Sequence, residues 1–348
     1  MQARKTLLIF QESLMHYRVE FFNALTERYK VVVLVGAIDD KILEKDVRFE
    51  ILKTDFKYFY RFAYVPALRT LIDRVSPEFV IAPFDLRLIV VISYMRHRFG
   101  KNMVLWGLDK GKGRAALGLK LSLARRFDNR IVFYSSHTMR QFIGMGLDES
   151  RCFFANNTFP VLQSKDTSKS NKDIILFVGS FDSRKRLPDL VDAFNAIQSN
   201  SSLKLILVGD GSCYEAVSRY VHRLGLQSKV SMVGKITNAD ELEIFYSRAL
   251  CSVSYGQAGL SVLQSLAFGV PFITHRDSIS GSEKFNIINS YNGYFVKDVD
   301  DLIKKIDALN RDRDLASELG ANAYKFYLEN CTVEIMCNQM IRAIEDVR

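Results

Sequence analysis

The residues best suited to chemistry gather at glycine-marked turns in the second half of the chain. GSFDSRKR, Gly179–Arg186, lies between a predicted strand and a predicted helix. Backbone amides of such a turn, with Arg184, Lys185 and Arg186, suit a diphosphate. Cations at a helix start oppose the macrodipole, which argues for an anionic ligand there; the alternative is a solvated basic helix start. Gly209-Asp210-Gly211 allows a tight turn after a buried strand and by itself signifies no more. The third turn belongs to SVSYGQAGLSVLQSLAFGVPFIT, Ser252–Thr274. There an apolar piece runs into a loop, then a helix from Leu260 to Phe268, then a strand over Phe272–Thr274. Gln257, Ser261, Gln264 and Ser265 interrupt its apolar run. They face a ligand, or they are solvent positions and a cap, and the pattern leaves both open. Glu283 opens a predicted helix in ISGSEKFNII, where a carboxylate either caps the helix or grips sugar hydroxyls. In the first half His16-Tyr17-Arg18 follow the first strand, where side chains line the ligand crevice of a parallel sheet. Equally, Arg18 solvates the first helical turn with Tyr17 packed beneath it.

Several chemistries are excluded. The chain has no GxSxG, and its first strand is not followed by GxGxxG. WGLDKGKG, Trp106–Gly113, differs from a P-loop in spacing and residues. The five cysteines form no CxxC and the five histidines no HExxH, so no metal site or disulfide scaffold is expected, and a reducing compartment fits.

The elements that must position these residues alternate strand and helix. Thr6–Phe10 reads as strand one, Gln11–Tyr17 as a loop, Val19–Tyr29 as a helix and Lys30–Val35 as strand two, a βαβ opening that implies a parallel sheet. The rhythm restarts at Ile174. Between the halves lies QSKDTSKSNKD, Gln163–Asp173, without an apolar residue. The expected organisation is an N-terminal Rossmann-like domain over 1–162, a linker over 163–173, a second Rossmann-like domain over 174–328, and a C-terminal helix over 329–348 that packs back on the first domain. The start, MQARKTLLIFQE, reads as a strand rather than a signal peptide, and no apolar run is long enough to span a membrane.

The 348 residues carry a formal net charge of +9, unevenly spread. Between Arg96 and Arg130 ten Lys and Arg face two acids, Asp109 and Asp128. Such a block favours phospholipid, a phosphorylated substrate or nucleic acid, or it is a solvated face. Lys53–Arg74 mixes Phe56, Tyr58, Phe59, Tyr60, Phe62 and Tyr64 with cations. Aromatics among cations seat a protein at a bilayer interface, cover a hydrophobic acceptor groove, or form the core face of a helix. No nucleic-acid motif accompanies them.

Five segments in order, FVGSFDSRKRLPDLVDAF, LKLILVGDG, LGLQSKVSMVGKI, GLSVLQSLAFGVPFIT and NGYFV, resemble the family-4 glycosyltransferases, retaining enzymes of the GT-B fold. LMHYRVEFFNAL, VLWG and IVFYS look like a bacterial polysaccharide and lipopolysaccharide branch of that family. The resemblance implies an α/β chain of two doubly wound, Rossmann-like domains facing across a crevice, with no cofactor or metal beyond a nucleotide-diphosphate sugar donor. It puts the family's diphosphate lysine at Lys185 with Arg184 beside it. The family's loop arginine is Ser180 here, and its two glutamates, eight apart, are Gly256 and Gln264.

The donor-side residues so implied are Gly179, Ser180, Arg184, Lys185, Gly209, Gln257, Ala258, Gly259, Leu260, Gln264 and Glu283. Gln264 takes the place of a ribose contact, and amides of 257–260 stand in for the missing first glutamate. The loop where relatives carry a histidine has Trp106-Gly107-Leu108-Asp109, so Asp109, with Glu283 and Lys185, is a candidate catalytic residue. His16, Tyr17, Arg18, Trp106 and Lys110 fall on the acceptor side. The implied activity is transfer of a sugar to a lipid-linked saccharide in surface polysaccharide (O-antigen or capsule) synthesis. The implied setting is cytoplasmic, peripheral on an anionic membrane at the inner face of the bacterial inner membrane, without nucleic acid. A soluble acceptor, a nucleotide-sugar epimerase and a non-catalytic sugar-nucleotide-binding protein are the alternatives.

Overall fold

Short runs of Val, Ile and Leu, buried on both faces, make parallel strands that helices must cover. The computed structural model describes residues 4–107, 109, 113–160, 172–197 and 202–346. By internal packing the chain divides into two units, Met1–Pro160 with Val333–Arg348, and Val161–Thr332.

In the first unit β1 (Thr6–Leu14), α1 (Val19–Leu25), β2 (Lys30–Ile38) and β3 (Glu50–Lys53) lead to a two-stranded hairpin, β4 (Lys57–Phe59) and β5 (Phe62–Tyr64). Then follow α2 (Leu68–Val75), β6 (Phe79–Pro83), α3 (Ile89–Phe99), β7 (Met103–Trp106), α4 (Arg114–Arg126), β8 (Arg130–Phe133), α5 (Ser136–Gly144) and β9 (Cys152–Phe154). Seven strands form one parallel sheet ordered β3-β2-β1-β6-β7-β8-β9.

The second unit holds β10 (Ile174–Val178), α6 (Leu187–Ile197), β11 (Lys204–Val208), α7 (Tyr214–Arg223), β12 (Val230–Gly234), α8 (Ala239–Arg248), β13 (Ala249–Val253), α9 (Ser261–Ala267), β14 (Phe272–His275), β15 (Gly293–Val296), α10 (Val299–Arg311) and α11 (Arg313–Asn330). Its six strands are parallel in the order β12-β11-β10-β13-β14-β15. The two doubly wound α/β sheets expected from the sequence are therefore what the chain forms. α12 (Val333–Glu345) returns to the first unit, where Met336, Met340 and Ile344 join the core of Phe21, Phe22 and Leu25.

Three elements differ from the sequence reading. β1 runs on through Gln11–Leu14, read as loop, and pairs with β2 as far as Leu14 opposite Ile38. Its polar residues have partners: Tyr58 and Arg87 both donate to Glu12. The helix predicted to run to Tyr29 ends at Leu25. The aromatic stretch after Lys53 is no core helix: it is the β4–β5 hairpin, whose rings are exposed. Most of the expected linker, 163–171, lies outside the described residues.

Several cations of the 96–130 block are internal fastenings. Arg130 is buried and donates to the carbonyls of Ile344 and Asp346, closing the C-terminal end of α12, and to Lys101. Arg125 caps the end of α5 through Met145 and Gly146, and Arg98 pairs with Asp73.

Candidate functional site

In a parallel sheet the loops at the carboxyl ends of the strands are free to bind, and those of β10, β11, β13 and β14 carry the residues in question. The loop after β11 presses on the loop after β10. A side chain on Gly209 would place its Cβ 1.8 Å from the carbonyl oxygen of Gly179, so no other residue fits there. Phe181 N–H donates to Asp210 (2.8 Å) and Cys213 N–H to Phe181 (2.9 Å), fastening the two loops together.

Asp182 organises the basic turn. Its carboxylate accepts from Arg184 N–H (3.0 Å), from the Arg184 guanidinium at both oxygens and from Ser180 Oγ (2.8 Å). The Arg184 hydrogen bond, followed by the others, holds that carboxyl below the usual range against the effect of burial. Arg186 sits in the left-handed region (φ 53°), pairs with Asp189 and lies over the Tyr255 ring at 4.6 Å. Two of the three cations are thus tied to carboxylates.

Lys185 is turned the other way. It is 7% exposed, and its Nζ lies 3.5 Å from the carbonyl oxygen of Gln257. No carboxylate comes within ion-pair distance of it among the described residues. Burial pushes its pKa down, with Asp182 and Glu283 opposing that and Arg184 adding to it.

The β13 loop docks on this turn. Gly256 N–H donates to Lys185 O (3.1 Å), and a Cβ at position 256 would meet Arg184 O at 2.2 Å. A side chain is therefore excluded where the family resemblance implied a glutamate. Ala258 N–H donates to Ile279 O (2.9 Å), so Ala258 has no amide to offer a ligand, against the expectation for that residue. The amides of Gly259 and Leu260 donate to no group among the described residues, and Ser261 Oγ is buried without a partner. Gln257 and Gln264 are half-buried. Ser265 fits neither reading of its position: it is fully buried and donates to Val270 O (2.7 Å), closing the end of α9.

Glu283 is buried in the loop after β14, in a single 3-10 turn over Glu283–Asn286 instead of the predicted helix. Ser280 Oγ donates to its Oε2 (3.3 Å). The loop is set by residues that sequence reasoning missed. Asn286 Nδ2 donates to Glu283 O (3.0 Å), Asn292 Nδ2 to Asn286 O (3.0 Å), and Lys284 Nζ to Ser278 O (2.8 Å). The only signal was the asparagine-rich NIINSYNG, Asn286–Gly293. Lys185, Glu283, Gly179, Ser180, Gly209 and the 256–264 segment thus belong to one loop cluster of the second unit.

The remaining candidates lie in the first unit. His16 Nδ1 is 2.6 Å from Asp39 Oδ2. Burial alone would raise the Asp39 carboxyl, but hydrogen bonds from His16 and Lys41 N–H hold it low. Arg18 is 7% exposed, with its guanidinium 4.3 Å from the Trp106 ring centre, 5.3 Å from Tyr17 and 5.5 Å from Tyr134. It does not solvate the first helical turn. Trp106 Nε1 is buried without a partner. Asp109 is exposed and pairs with Lys120 of α4. Lys110 lies outside the described residues. Among the described residues no group of three or more His, Cys, Asp or Glu is placed to hold a metal.

Comparison with known proteins bears on the fold and on the class of enzyme. Residues 160–326 match the family model "Glycosyl transferases group 1". The N-acetyl-alpha-D-glucosaminyl L-malate synthase of Bacillus anthracis is 27% identical over 201 residues, 57% of this chain and 52% of that protein. The lipopolysaccharide 1,6-galactosyltransferase of Escherichia coli K12 is 26% identical over 160 residues, 42% of each. The matches thus span about half the length of these curated relatives or less. Anabaena HepE, crystallised with UDP and glucose, superposes with a TM-score of 0.75 over 98% of this chain and 99% of its own, at 15% identity. That likeness is one of fold, the GT-B class.

Proposed function

We propose that this chain is a retaining glycosyltransferase. It moves a sugar from a nucleotide-diphosphate donor to a lipid-linked saccharide during surface polysaccharide synthesis, at the cytoplasmic face of an anionic membrane. The observation that carries the reading is the inward ammonium of Lys185, held at the Gln257 carbonyl of the β13 loop, whose Gly259 and Leu260 amides donate to no group among the described residues, and within the electrostatic reach of Glu283. A buried cation without a carboxylate partner suits an anion that arrives with the substrate. The UDP and glucose held by a protein of the same fold support this choice of donor.

In this reading the bond between the anomeric carbon and the diphosphate breaks, and its electron pair goes to the phosphate oxygen. Lys185 and the Gly259 and Leu260 amides stabilise that growing charge. Glu283 holds the donor sugar's hydroxyls. The acceptor hydroxyl bonds to the anomeric carbon on the face the diphosphate leaves, and its proton passes to the departing phosphate. Asp109 is proposed as a further catalytic residue, and His16, Tyr17, Arg18, Trp106 and Lys110 for the acceptor side.

The test is a thermal-shift panel of nucleoside diphosphates and their sugars, followed by turnover of the best donor with lipid-tailed and tail-free acceptors. Stabilisation by one diphosphate series and transfer favoured by the lipid tail are expected. Absence of any nucleotide response overturns the proposal. Binding without turnover leaves a non-catalytic binding protein, and a free altered sugar nucleotide formed without acceptor indicates an epimerase.

A further inference from the structure

The β4–β5 hairpin stands apart from both large sheets, and its residues have no part in the donor or acceptor assignments. In an antiparallel pair, residues directly opposite share a face. Lys57 is opposite Tyr64 and Phe59 opposite Phe62, while Tyr58 is opposite Ala63. On the Tyr58–Ala63 face Ala63 is buried, while Tyr58 is 55% exposed and donates to Glu12. The other face presents Lys57, Phe59, Phe62 and Tyr64 to solvent. At the tip Tyr60, in the left-handed conformation (φ 53°), is 91% exposed and meets Phe59 edge-on at 4.9 Å between ring centres. Phe59 is 67% exposed. Phe56 anchors the base against Phe10, their rings 5.3 Å apart.

We infer that this hairpin is the element by which the protein docks on a bilayer, its rings entering the interface of an anionic phospholipid membrane. Phe rings flanked by Tyr match the gradient from acyl chain to headgroup. Lys53, Lys57 and Arg61 surround the rings with Asp55 as the only acid of that stretch, and none of the three cations forms an ion pair among the described residues. Cations so placed gain from anionic headgroups. Strands of three residues offer too little edge to recruit a strand from another protein. The inference takes up the membrane surface proposed above and assigns it to one element. It stands on the hairpin alone, whether or not the donor assignment holds.

The test uses the full chain and sedimentation with phosphatidylglycerol/phosphatidylcholine vesicles against pure phosphatidylcholine. Y60S/F62S should bind both vesicle types about tenfold more weakly. K57Q/R61Q should lose about tenfold on the anionic vesicles only, with a flatter dependence on salt. The chain's single tryptophan, Trp106, is buried, so Tyr60→Trp reports on the tip: its emission should shift to the blue with vesicles and be quenched by brominated lipid. Wild type that ignores anionic vesicles removes the membrane reading altogether. Wild type and Y60S/F62S binding equally, with no blue shift in Y60W, overturns the hairpin's role and leaves the membrane reading to another surface. A concentration-dependent dimer lost in Y60S/F62S, without vesicle binding, makes the patch a self-association surface and overturns the inference.

Discussion

The ammonium of Lys185 lies 3.5 Å from the carbonyl oxygen of Gln257, a side-chain contact from the loop after β10 to the loop after β13 that adds to the Gly256 N–H bond to Lys185 O. It gives a buried charge a dipole but no counter-charge. K185M should therefore stabilise the unliganded protein by about 1 kcal/mol while abolishing the thermal response to nucleoside diphosphates. Urea denaturation and calorimetry measure the two effects, and equal diphosphate affinity in K185M and wild type would remove Lys185 from the site.

The same burial gives a pH dependence. A lysine whose folded pKa is depressed binds fewer protons folded than unfolded between the depressed value and the ordinary one, so it adds stability as pH rises through that window. Diphosphate needs the charged form, so its affinity should fall as pH rises through the depressed pKa, below the ordinary lysine range. K185R, which keeps its charge, should lose that alkaline fall whatever its absolute affinity. Calorimetry across pH decides.

Position 256 tests the packing of the two loops. G256A should cost about 1–3 kcal/mol, because its Cβ meets the Arg184 backbone and one loop must move. Diphosphate affinity should fall with it. G259A, with nothing within 4 Å of the added Cβ, is the control expected to fold like wild type. Denaturant midpoints separate the two.

E283Q keeps the shape of the β14 loop and removes the charge. Sugar transfer should fall about a hundredfold while affinity for the sugar-free diphosphate changes less than about threefold. N286A, which frees the Glu283 carbonyl from its buried donor, should lose both stability and transfer. Unchanged transfer in E283Q would leave the carboxylate a structural cap.

Arg130 should prove essential to the seating of α12. R130K cannot span the carbonyls of Ile344, Asp346 and Lys101 with one planar fork, and a loss of about 1–3 kcal/mol is expected. Amide exchange over Val333–Glu345 should quicken first.

Most strands of the two large sheets, the doubly wound α/β class and the basic turn were legible because each is local, while the GT-B class came from the family resemblance. Buried β-branched runs, a glycine after a strand and cations before a helix all declare themselves within a few residues. The polar end of β1 was not legible, since Glu12 reads as loop until Tyr58 and Arg87 reach it through space. Nor was the fate of the cations. Spacing alone could not tell that Arg184 and Arg186 fold onto Asp182 and Asp189 while Lys185 turns inward, for that depends on the φ of Arg186 and on Tyr255 beneath it. In the same way Gly256 read as a lost glutamate, and only the approach of the Arg184 carbonyl makes it a residue the fold requires. Composition and order determined which elements exist; long-range contact decided which side chains are fastened down and which remain for a ligand.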